Sequence, residues 1–156
     1  MTLGPQDPRL EQDVMPPAQE QEVIEILLHQ HQRIRELLAD IKSGGSRKQQ
    51  AFEDLRDLLA SHEEAEEAVV RPVTRWVVGD SIADARNEEE EHADGMLAAL
   101  GKLDISSAEF DTMFADFQNA VAAHADHEEA DEFPRIKAGL DHDHLVRLGQ
   151  DLIAAE

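Results

Sequence analysis

The chain has 156 residues, with 14 Lys and Arg against 35 Asp and Glu and a formal net charge of -21. That length makes one domain with room for a packed core, and that charge argues against nucleic acid or an anionic membrane as a partner, since both require a basic surface. With no cysteine present, disulfides, zinc ribbons, iron–sulfur clusters and thiol catalysis are excluded, and any transition metal must be held by imidazole and carboxylate.

Residues 1–17 are polar and carry Pro5, Pro8, Pro16 and Pro17. They lack the basic start and apolar core of a secretory signal, and no apolar run in the chain approaches a membrane span. The expectation is a cytoplasmic protein with a flexible N-terminal tail at 1–17 and a single helical domain at 18–156.

Five helical stretches follow, with no β-alternation anywhere. The first begins after Pro16-Pro17 and ends at Gly44-Gly45, with Val23, Ile24, Leu27, Ile34, Leu37, Leu38 and Ile41 on one stripe. The second runs from about Ser46 to Arg71, with Pro72 near its end. The third runs from about Ser81 to Leu100 and stops at Gly101. The fourth starts near Ser106-Ser107 and ends around Phe133-Pro134. A short amphipathic segment, Leu145 to Ile153, closes the chain. Four long helices with short links predict an all-α, up-down-up-down four-helix bundle with a short additional C-terminal helix.

One pattern is written twice. His62 is followed by Glu66 and Pro72, and His124 by Glu128 and Pro134, at identical spacing. A lone His stands upstream of each copy, His31 before His62 and His92 before His124. Two similar helix pairs predict a pseudo-symmetric interior.

Helix periodicity turns these residues inward. Phe52, Leu55, Leu59, His62, Glu66, Val69 and Val73 step by three or four, as do Phe110, Met113 or Phe114, Phe117, Val121, His124 and Glu128. His31 continues the stripe of Leu27 and Ile34, and His92 shares a face with Ile82, Ala85 and Ala99. A single inward His is an ordinary core residue. Two inward carboxylates are not, because even an uncharged polar group buried unbonded costs roughly 2–7 kcal/mol. No Lys or Arg falls on the matching stripes, so a bound cation is the economical solution. Six ligands exceed the needs of a tetrahedral zinc, and two carboxylates able to bridge suit a pair of iron ions. The ferritin-like arrangement needs Glu-x-x-His on two helices. Only Glu89 to His92 matches it with any interest, and the fourth helix has no counterpart.

With His31, His62–Glu66–Pro72, His92 and His124–Glu128–Pro134 in this order, the chain resembles the hemerythrin-like family, or HHE cation-binding domain, over roughly residues 20–136. The resemblance implies a non-haem di-iron centre with a bridging oxo or hydroxo group. His31, His62, His92 and His124 would be terminal ligands, and Glu66 and Glu128 would bridge. It further implies binding of O2, NO or peroxide at an open iron position. Oxygen-carrying members place a fifth histidine where this chain has Glu88. That residue either ligates iron, accepts a hydrogen bond at the site, or is exposed. His127 is a second candidate for a ligand or supporting position. A carboxylate in place of imidazole favours ferric iron and argues against clean reversible oxygen carriage.

His29, Glu67 and Glu129 read as surface positions, with Glu67 and Glu129 also placed to orient a neighbouring histidine. His142 and His144 read as a polar helix start. Trp76 is expected to pack the bundle end or to form an interface. Two functions follow. One is a small-ligand-binding di-iron protein, with catalase-like peroxide disproportionation as a possible activity. The other is an iron- or oxygen-responsive sensor or adaptor in which metal loading controls bundle stability.

Overall fold

Three of the helices begin at a residue whose side chain accepts from the first turn. In the computed structural model, which describes residues 20–156, helix α1 spans Val23–Ser43, with the Glu22 carboxylate accepting from the Glu25 N–H at 2.8 Å. Gly44 and Gly45 end it at φ values of 74° and 81°, a left-handed backbone that favours glycine. Helix α2 spans Lys48–Ala65 and passes into a wide π turn, Glu66–Val70, and then into α3, Arg71–Val77. After Gly79 comes α4, Asp80–Leu100. Ser107 caps α5, Ala108–His127, accepting from the Phe110 N–H at 3.1 Å. A second π turn, Glu128–Glu132, leads into α6, Phe133–Gly139. Asp141 caps the final helix, α7, His142–Ala155.

Pro72 and Pro134 were expected to mark helix ends. Each instead sits just inside the helix that follows a π turn. Proline has no N–H to give and its ring presses on the carbonyl four residues back, so an unbroken α-helix is not available there. The chain answers by widening the preceding turn. The Arg71 N–H bonds the Glu66 carbonyl, and the Phe133 N–H bonds the Glu128 carbonyl, both five residues back. The two rods, Lys48–Val77 and Ala108–Gly139, therefore continue past their prolines.

The result is the expected up-down-up-down four-helix bundle with a short additional helix: α1 packs on α2, α4 on α5, and α7 against α1 and the first π turn. At Gly149 an added Cβ would lie 2.6 Å from the Gln21 carbonyl oxygen, so α7 approaches the start of α1 as closely as it does because that residue is glycine. No helix among the described residues is long and apolar enough to cross a membrane. The tail at 1–17 lies outside the described residues.

Two apolar layers fill the bundle. The upper one joins Ile34, Leu38, Leu55, Leu59 and Val121 to the rings of Phe52, Phe110, Phe114 and Phe117. Phe52 and Phe110 meet edge to face at 5.4 Å, a geometry that adds about 0.5–1.5 kcal/mol to simple burial. The lower one joins Val23, Ile24, Leu27, Val70, Phe133 and Ile136 to Leu145 and Leu152 of α7. The polar centre described next lies between them. Trp76 packs against neither layer and is 77% exposed.

Candidate metal centre

The band between the layers is almost entirely charged. His31, His62, Glu66, Arg71, Glu90, Glu128 and Glu132 are all buried there, and His124 is nearly so. Their ligand atoms form two groups: His31, His62, Glu66 and Glu128, then Glu66, Glu90, His124 and Glu128, with the atoms of each group within 4.8 Å of one another. The groups share Glu66 and Glu128, the two carboxylates of the repeated pattern.

Five of the six residues expected to converge do so. His92 does not, and this corrects the expectation. It is exposed on the outer face of α4, beside Gly95, Met96 and Met113. The inner stripe of α4 is Ala83, Arg86, Glu90, Ala93 and Leu100, which puts Glu90 where His92 was expected. The apolar residues that suggested the other face, Ile82, Ala85 and Ala99, are only half-buried. A helix with so few large apolar residues gives periodicity little to fix its rotation. Glu88 is exposed and joins neither group. His127 is 52% exposed and outside both groups, with its Nδ1 against Glu89.

The imidazoles are oriented from behind. His31 Nδ1 lies 3.1 Å from Glu129, His62 Nδ1 2.6 Å from the Gln30 side-chain oxygen, and His124 Nδ1 3.0 Å from Glu89. Glu89 is held in turn by Arg86, and Glu129 by Arg35. Each Nδ1 thus donates its proton outward and each Nε2 faces the centre. His31 Nε2 is 3.3 Å from Glu128 Oε1, His124 Nε2 is 3.2 Å from the same oxygen, and His62 Nε2 stands against Glu66 Oε1. A lone pair facing a carboxylate lone pair is repulsive unless a proton or a metal ion lies between them. Outward partners on Nδ1 with Nε2 left for a cation are the arrangement metal-binding histidines use.

The carboxylates point the same way. Glu90 Oε2 is buried without a protein donor, which costs about 1–3 kcal/mol or more for a charge, and Glu66 Oε1 and Glu128 Oε1 meet only the imidazole nitrogens that face them. Burial and the adjacent Glu128 charge push the Glu66 carboxyl up to about 8. Glu128 itself goes well down: burial opposes this, but hydrogen bonding from Glu66, His124 and His31 outweighs it. Burial works against the charged form of His124, yet hydrogen bonding to Glu128 and Glu90 raises it to about 11. Protons thus hold the positions that a cation would take, and the donor set fits a pair of metal ions.

The expectation that no Arg or Lys reaches the inner stripes is also corrected. Arg71 is buried below the cluster and touches four carboxylates: Glu66 at 2.9 Å, Glu90 at 2.5 Å, Glu128 at 3.2 Å and Glu132 at 2.7 Å. The π turn brings it there, because in a wider turn the residue five on from Glu66 comes back to the same face. The inward positions after Glu66 are Val70, Arg71 and Thr74, rather than the expected Val69 and Val73. Glu132 is buried by the equivalent turn and also accepts from the Thr74 hydroxyl at 2.6 Å. A Pro following each His-x-x-x-Glu was the available signal that the periodicity slips beyond it.

Above the cluster lies a cavity of about 210 Å³. Its floor includes His31, His62, Glu90 and His124, and its walls Ile34, Leu38, Leu59, Ala93 and Val121. Glu63 lines it too, its carboxyl pushed up to about 10 by burial and by its hydrogen bond to the neighbouring Asp94 side chain.

The family model for the hemerythrin HHE cation-binding domain matches residues 22–136. A solved hemerythrin HHE cation-binding domain-containing protein from Mycobacterium kansasii is similar in fold, with a TM-score of 0.78 and 21% identity over 86% of this chain and 84% of its own. No curated protein matches the chain.

Proposed function

The chain belongs to the hemerythrin HHE cation-binding domain family, and from that premise we propose that it carries a non-haem di-iron centre that takes up O2, NO or peroxide from the apolar cavity above it. The observation that carries this reading is the sharing of Glu66 and Glu128 between two four-residue ligand groups. One ion would be held by His31 and His62 and the other by His124 and Glu90, with the shared carboxylates spanning both. Iron with an oxo or hydroxo bridge is the pair we assign. When bound, it supplies the redox and ligand-binding chemistry, including disproportionation of peroxide to water and dioxygen.

The protein's own part is positional. Gln30, Glu89 and Glu129 fix the imidazoles, and Ile34, Leu38, Leu59 and Val121 keep the cavity apolar and narrow enough for small ligands.

Protein loaded with ferrous iron and exposed to air should hold about two irons per chain and show ligand-to-metal charge-transfer absorption. A metal count of one zinc, or none, would sink the di-iron reading. Oxygen release on adding peroxide, lost in His62→Ala, would mark the centre as catalytic. Spectral change without turnover would mark it as a binding site.

A further inference from the structure

Arg71 is a full positive charge placed inside a candidate cation site. Its neighbours are four buried carboxylates, those of Glu66, Glu90, Glu128 and Glu132, with Asn87 accepting from its Nε at 3.1 Å. Glu66, Glu90 and Glu128 are also the three carboxylates of the two ligand groups. On Glu66 and Glu128 the guanidinium engages Oε2, while the Oε1 atoms face the imidazoles. The two demands on Glu66 and on Glu128 are thus divided between their two oxygens, whereas on Glu90 both Arg71 and His124 meet Oε1.

We propose that Arg71 is a built-in counter-cation of the metal centre: it gathers the ligand carboxylates so that the site stands assembled without metal, and its charge weakens metal binding in return. This inference rests on the metal-binding reading above. A guanidinium suits the task because its planar fork presents several donors at fixed angles and it keeps its charge when buried. Once a metal ion has displaced the protons, four carboxylates against one guanidinium make a net negative cluster. It can still accept cations, but it binds them less tightly than a cluster with no internal positive charge. Arg71 is therefore a positioning residue whose two effects have opposite sign, and the opposition separates it from a merely structural ion pair.

The test compares thermal melts and Co2+ titrations of the wild-type chain, Arg71→Gln and Arg71→Lys, each metal-free and Co2+-loaded. In Arg71→Gln the metal-free melting temperature should fall by about 10 °C, because a buried charge cluster loses its partner. Co2+ should bind about tenfold more tightly or better, so the gap between metal-free and loaded melts widens. Arg71→Lys keeps the charge without the fork and should fall between the two. A chain that folds only with Co2+ is the same result in stronger form. Equal losses in both melts, with Co2+ affinity and its visible spectrum unchanged, would reduce Arg71 to an ordinary core ion pair and overturn the proposal. If Arg71→Gln folds in neither state, the decision passes to Glu132→Gln and to that variant combined with Arg71→Gln. The double variant must show the wider gap, and an equal gap overturns the proposal. Wild-type protein that takes up no Co2+ or Fe2+ refutes the metal reading and this one together. Wild-type protein that binds two ions, beside an unchanged gap in Arg71→Gln, refutes only the role given to Arg71.

Discussion

The two halves of the bundle repeat one another at the ligands and diverge just beyond them. His62 and Glu66 correspond to His124 and Glu128, and each glutamate opens a π turn. The buried pair that closes the first turn is Val70 and Arg71, while the pair closing the second is Glu132 and Phe133. Each half thus supplies one apolar and one charged residue, in opposite order. Arg71 and Glu132 meet across the bundle at 2.7 Å, and Phe133 stacks on His31 at a centroid separation of 5.7 Å. Symmetry is kept at the two carboxylates that both ligand groups share, where the proposed pair of ions would need equivalent ligands. It is broken where a buried cluster of carboxylates needs a counter-charge and a histidine needs a wall.

The largest expected effect tests the symmetric part. Glu66→Ala and Glu128→Ala should each abolish binding of a metal pair, with losses of similar size and beyond the roughly 10–100-fold that follows loss of an outer hydrogen-bond partner. Metal analysis after iron loading reads this, and a variant that still holds two ions would break the equivalence of the two copies. Next comes Phe133→Ala on the asymmetric side. It should lower stability by about 3–5 kcal/mol in denaturant unfolding while leaving the metal count at two. Loss of metal at preserved stability would show that the ring serves the ions rather than the core.

A smaller effect concerns the metal-free protein. Folding raises the Glu66 carboxyl from 4.5 to about 8 and the His124 imidazole from 6.5 to about 11. In these ranges the native chain binds more protons than the unfolded one. Stability from Glu66 is therefore full below pH 4.5 and lost as pH rises through 8, and that from His124 is lost as pH rises through 11. Glu128, shifted downward, acts oppositely: its contribution is lost below pH 4.5 as pH falls through its native value. Melting temperature against pH, with and without Co2+, should show the metal-free protein weakening from pH 5 to 9 while the loaded one gains, since metal displaces these protons. Parallel curves would contradict this. The smallest effect is expected of His92→Ala: within about 0.5 kcal/mol in stability and no change in metal content. A lost ion there would return His92 to the site in place of Glu90.

Much of this was legible in the residues alone. His31, His62, Glu66, His124 and Glu128 sit on helices whose stripes are rich in Leu, Ile, Val and Phe, so periodicity fixes their rotation well. Helix α4 carries its buried face on Ala83, Arg86, Glu90 and Ala93, and a stripe without bulk left Glu90 and His92 indistinguishable in a run of acids. Arg71 and Glu132 were hidden for another reason. Periodicity assumes a constant 3.6 residues per turn, and the two prolines change that number locally. Glu67 and Glu129 both read as surface positions or as partners of a histidine; Glu129 contacts His31, and Glu67 is exposed.

The seat of α7 at Gly149 has its own consequence for traffic. With no side chain there, the last helix lies against the start of α1 and stoppers the lower end of the bundle. A small guest arriving from that side would meet tightly packed Phe133, Ile136 and Leu152 before any histidine. A guest would instead come by way of the cavity above the cluster, whose lining reaches solvent at Arg35, Glu63, Gln118 and Ala122, and whose inner walls of Leu38, Leu59 and Val121 would set how large a guest fits.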